Sequence, residues 1–124
     1  MKGFLLTIVA LFIVGLLAIP SMVYSLFRYK TWKSLNGHWY RVAVAIDQLG
    51  NTISKHLLND FCIHNGGLLF GNTDETASSV FGKNKEIGKL TSPGLFIANG
   101  LNWLEEDHVE SSIEKDEQDD TKNW

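Results

Sequence analysis

GFLLTIVALFIVGLLAIPSMVYSLF, residues Gly3 to Phe27, runs for twenty-five residues without one charged side chain. As a helix rising 1.5 Å per residue it reaches about 37 Å, more than the roughly 30 Å hydrocarbon core of a bilayer. Twelve of the seventeen residues from Gly3 to Ile19 are Leu, Ile, Phe or Val. At about 0.3–0.6 kcal/mol each at the bilayer centre, they favour insertion by about 4–7 kcal/mol before polar corrections. The stretch therefore predicts a membrane anchor, and the rest of the chain is organised behind it.

The rival reading is a cleaved signal peptide, with Lys2 as a minimal basic region, Pro20 as a helix breaker and Val23-Tyr24-Ser25 near a small-x-small cleavage site. The apolar run outlasts the usual 7–15 residue core of a signal peptide, which favours retention. Arg28, Tyr29, Lys30, Trp32 and Lys33 follow as an aromatic and cationic interface. Residues 28 to 41 carry Arg28, Lys30, Lys33 and Arg41 and no acid, against Lys2 and the amine on the other side. The positive-inside rule then places the N-terminus outside and the following domain in the cytoplasm. Cleavage near Ser25 would instead export that domain.

The remaining chain has room for one small domain. Nine of its fourteen acids fall between residues 105 and 120, so the formal charge of −3 sums a basic collar and an acidic tail. The single cysteine, Cys62, excludes an internal disulfide framework and a Cys-rich zinc site. Ser34 to Gly37 reads as a short linker and candidate helix start. Trp39, Val42, Ile46, Leu49, Ile53, Leu57 and Phe61 recur at three or four and predict an amphipathic helix broken near Gly50-Asn51. Asn72-Thr73-Asp74-Glu75 resembles a capping box for a helix over 73–81 stopped by Gly82, with KNKEIGKL as an irregular basic connector. Ser92-Pro93 opens another helix, whose stripe is Ile97, Leu101 and Leu104 with Phe96 and Trp103 beside it. Asp107-x-x-Glu110 predicts a last capping box, and the residues past Glu114 have no apolar period. The predicted architecture is mainly α. It has an anchor and collar over 1–33, a small helical domain with irregular connectors over 34–115 and a disordered acidic tail over 116–124.

Three segments, RVAVAIDQLGN (41–51), FGNTDETASSVFGKNK (70–85) and LNWLEEDHVESSIEKDE (101–117), together resemble a family of small uncharacterised proteins of tailed bacteriophages and prophages of Gram-negative bacteria. The resemblance covers roughly residues 39 to 117. It implies a phage or prophage origin and a place near the inner membrane, and it brings no activity with it.

The polar candidates for chemistry are Asp74, Glu75 and His108, with Asp47, Ser78 and Ser79 around them. Adjacent residues on a helix diverge by about 100°, so Asp74 and Glu75 cannot face one another as an acid and base, and capping explains them better. Ser78 or Ser79 would need His108 as its base, and no G-x-S-x-G elbow surrounds either serine. Cys62-x-His64 lacks the second close pair that a zinc site requires. Neither a phosphate loop nor a dinucleotide fingerprint is present, and no cofactor or metal is read from the residues. The leading expectation is a single-pass accessory protein that acts on lysis or the host envelope through the lipid bilayer and a host or phage protein. Self-association stays open. The alternatives are a tethered enzyme using Asp74, Glu75 and His108, and a nucleic-acid module using Arg41, Lys83, Lys85 and Lys89, which the acidic tail disfavours.

Overall fold

A computed structural model describes residues 1–117 and 119–123. The chain forms two compact units, Met1–Arg41 and Val42–Trp124. In the first, α1 (Lys2–Arg28) runs unbroken through Pro20. A helix satisfies its own backbone polar groups. Its hydroxyls follow the same rule: Thr7 Oγ1 donates to the Gly3 carbonyl at 2.9 Å and Ser25 Oγ to that of Ser21 at 2.8 Å. α2 (Trp32–Ile53) begins three residues later, where the Thr31 hydroxyl accepts the Ser34 amide at 3.2 Å. Residues 34–37, expected as a linker or helix start, are thus in the first turns of α2. The break expected at Gly50-Asn51 falls at Ser54, before α3 (Lys55–Phe61).

The core of the second unit comprises Leu58, Cys62, Ile63, Phe70, Val80, Phe81, Leu90, Ala98 and Val109. Phe70 and Phe81 meet edge to face with centroids 4.8 Å apart. α4 (Ala77–Glu86) packs against both α5 (Ser92–Leu104) and α6 (His108–Ser111). Its N-cap is Thr76, not Asn72. The Thr76 hydroxyl accepts the Ser79 amide at 3.1 Å, while Glu114 Oε1 accepts both the amide and the hydroxyl of Thr76 at 3.0 Å. Asn72 instead closes a tight turn by accepting the Asp74 amide at 3.1 Å. The helix does not stop at Gly82, and KNKE belongs to it. A Cβ at Gly82 would stand 2.1 Å from the Val109 carbonyl oxygen, so this glycine lets α4 and α6 touch backbone to backbone.

α5 is capped by Thr91 rather than Ser92, with Pro93 in its first turn. Asp107 does not cap α6; it adopts φ +54° with no capping hydrogen bond, and Glu110 turns to other partners. The stretch expected to be a disordered acidic tail makes backbone hydrogen bonds over its described residues. The Gly66 amide donates to the Lys122 carbonyl at 2.8 Å, the Lys122 amide to that of Gly67 at 2.8 Å, and the Leu69 amide to that of Asp120 at 2.7 Å. Lys122 is buried, its ammonium bonded to the carbonyls of Ile63 and Asn59. Backbone pairing has no apolar period, which is why hydrophobic patterning does not reveal it. Gln118 and Trp124, both in the expected tail, lie outside the described residues.

Candidate functional site

Three segments, 41–51, 70–85 and 101–117, meet at the N-terminal end of α4. Ser78 Oγ donates to Asp47 Oδ2 at 2.5 Å and lies 3.2 Å from His108 Nε2. His108 Nδ1 pairs with Glu105 Oε2 at 2.7 Å. The carboxylate orients the ring so that Nε2 faces the hydroxyl, which is the order of a nucleophile, base and acid relay. Two facts hold it back from that chemistry. Ser78 is 2% exposed, and its one hydroxyl proton points at Asp47 rather than at the ring. The cluster ties α2, α4 and the turn before α6 together.

Asp74, Glu75 and His108 do not assemble. Glu75 is 1% exposed, paired with Lys83 Nζ at 2.6 Å and accepting from Ser79 Oγ at 2.6 Å. Asp74 is exposed, its carbonyl accepting from Gln48 Nε2 at 3.0 Å. Lys83 also reaches Asp119 Oδ1 at 2.7 Å. Burial works against the Lys83 charge, but hydrogen bonds to Asp119 and Glu75, with the attraction of both carboxylates, outweigh it and raise the pKa above the ordinary lysine value. Asn51, fully buried, accepts the Gly71 amide and donates to the carbonyls of Asn72 and Glu75.

The cations proposed for nucleic acid do not form a free face. Lys83 is buried between two carboxylates and Lys85 pairs with Glu110, whose carboxyl is held below its usual range chiefly by that hydrogen bond. Cys62 packs in the core, where burial pushes its thiol up, while His64 is exposed. Among the described residues no three His, Cys, Asp or Glu side chains are grouped to hold a metal ion. An open cleft of about 620 Å³ is lined in part by Lys55, His56, Asp60, Thr73 and Asp120, without converging charge of one sign.

Sequence reasoning missed Glu105, although its i, i+3 spacing to His108 was the available signal. It also missed which way α2 faces. Asp47, Gln48 and Asn51 turn toward the segment over 71–78, whereas Ile46, Leu49 and Ile53 are 63%, 46% and 57% exposed. Leu57 and Phe61 continue the exposed stripe along α3, and α5 exposes Phe96, Trp103 and Leu104. The expected interface residues Arg28, Tyr29, Lys30, Trp32 and Lys33 are all exposed. Compared with known proteins, the chain matches no family model, and no curated protein or solved structure matches it either.

Proposed function

We propose that this protein is a single-pass membrane accessory protein, of tailed-phage or prophage origin, that works by contact rather than by catalysis. The observation that carries the reading is α1. None of its eighteen most apolar consecutive residues is buried within the chain, and no charge interrupts them. Lipid is the environment in which such a helix loses its exposed apolar surface. The basic collar orients it with the second unit in the cytoplasm, where the exposed apolar residues of α3 and α5 meet a host or phage protein involved in lysis or the envelope.

The test is fractionation of cells making the full chain. The protein stays in the pellet after alkaline extraction, keeps Met1–Ser25, and carries a C-terminal reporter active only in the cytoplasm. Recovery from the soluble fraction, or a mature chain starting after Ser25, refutes the anchor. A tethered hydrolase is the second reading, favoured by the Ser78–His108–Glu105 relay alone. It requires Ser78 to react with a fluorophosphonate probe, and burial of that hydroxyl argues against it.

A further inference from the structure

The spacing along α2 alternates three and four for three heptads: Trp32, Leu35, Trp39, Val42, Ile46, Leu49, Ile53. In heptad terms Trp32, Trp39, Ile46 and Ile53 occupy a, and Leu35, Val42 and Leu49 occupy d. Leu35 is buried, Trp39 and Val42 are half-buried, and from Ile46 onward the row is exposed. We propose that α2 pairs with α2 of a second copy of this chain as a parallel, two-stranded coiled coil centred on Ile46, Leu49 and Ile53.

Four observations select this occupant. The a and d residues of the exposed part are Ile and Leu, the combination that favours two parallel strands. The e and g positions, Asn36, His38, Ala43, Ala45, Gly50 and Thr52, hold no Asp, Glu, Lys or Arg, so no charge code asks for a different partner helix. Asp47, Gln48 and Asn51, at b, c and f, are already bonded to the chain's own 71–78 segment, which leaves the opposite face for the seam. Last, α1 inserts every copy with the same orientation, and α2 follows it after three residues, so neighbouring α2 helices run parallel. This last point rests on the membrane reading above; the heptad argument does not.

The test uses the full chain in detergent micelles. Native mass spectrometry reads twice the 13.9 kDa chain mass for the wild type. Ile46→Asp with Leu49→Asp halves that mass, with helicity by circular dichroism unchanged. Ile53→Cys links to itself on mild oxidation at least tenfold faster than Thr73→Cys, on an exposed loop, while the wild type with buried Cys62 alone does not link. A monomeric or trimeric wild type overturns the proposal. A dimer that survives the double Asp variant overturns it too, since α1 would then hold the copies together, and so does equal linking of Ile53→Cys and Thr73→Cys. A dimer with these properties from protein found in the soluble fraction leaves the pairing standing and removes only the anchor.

Discussion

Replacing Lys83 by Met isolates the buried ion pair. Glu75 is 1% exposed, and its charge is met by the Lys83 ammonium at 2.6 Å and the Ser79 hydroxyl at 2.6 Å. Methionine keeps the length of the side chain and removes the charge, leaving a buried carboxylate with one neutral donor. Removing one partner of a buried pair costs about 3–5 kcal/mol, which multiplies the unfolded fraction by about two to four orders of magnitude. Removing both should cost less than removing one, because Glu75→Gln with Lys83→Met leaves no fully buried uncompensated charge, Asp119 being 35% exposed. The assay is amide hydrogen exchange of α4 in the full chain held in micelles, read as protection factors. Alkaline pH gives a second handle. The folded-state pKa of Lys83 is raised, so its contribution is complete below the unfolded lysine value near 10.4 and is lost as pH rises through the folded value. The wild type should lose α4 protection in that alkaline window and Lys83→Met should not. A loss below about 1 kcal/mol in Lys83→Met, or a double variant no better than the single, refutes the assignment.

Gly82→Ala should lower the thermal midpoint, because the added Cβ meets the Val109 carbonyl oxygen at 2.1 Å; crowding of about 1–3 kcal/mol outweighs the roughly 1 kcal/mol gain in helix propensity. Ser78→Ala should cost about 1–2 kcal/mol by leaving Asp47 and His108 without their shared hydroxyl, and the wild type should remain unlabelled by fluorophosphonate; labelling at Ser78 would reverse the structural assignment. The lowered pKa of Glu110 gives stability that is present above the ordinary carboxylate range and lost as pH falls through the folded value. Lys85→Met should shrink that acid-side loss, by under about 1 kcal/mol for a pair in contact with solvent, in an acid titration followed by Trp fluorescence. Truncation after Glu117 should release the amides of Gly66 and Leu69, whose acceptors are the Lys122 and Asp120 carbonyls, and hydrogen exchange at those two sites reads it.

The strongest local signals were legible in the sequence. A charge-free run gave α1, and Pro93 with a preceding hydroxyl residue gave the start of α5 to within one position. What patterning could not supply were the contacts made over long separations. Glu114 pins Thr76 from thirty-eight residues away, so the cap moves there from Asn72. Gly82 reads as a stop until Val109 is seen against it. The stripe on α2 was visible, but periodicity names a face without saying which side the domain occupies, and here the polar side is inward. The site residues followed the same logic. Asp74, Glu75 and His108 stood out as polar types, whereas the actual grouping of Asp47, Ser78, Glu105 and His108 depends on three elements converging.

The asparagines of the second unit carry one more consequence. Asn84 Oδ1 accepts the Leu68 amide at 2.7 Å while its Nδ2 donates to the Leu68 carbonyl at 2.9 Å, and Asn59 treats Phe70 likewise at 2.7 and 3.1 Å. Each carboxamide stands in for a neighbouring strand on the edge of this extended loop that the backbone of residues 120–122 does not cover. A ribbon of unsatisfied amides is adhesive toward other chains. Swapping either asparagine for leucine would therefore leave a sticky margin, and the harm would surface as clumping at high concentration.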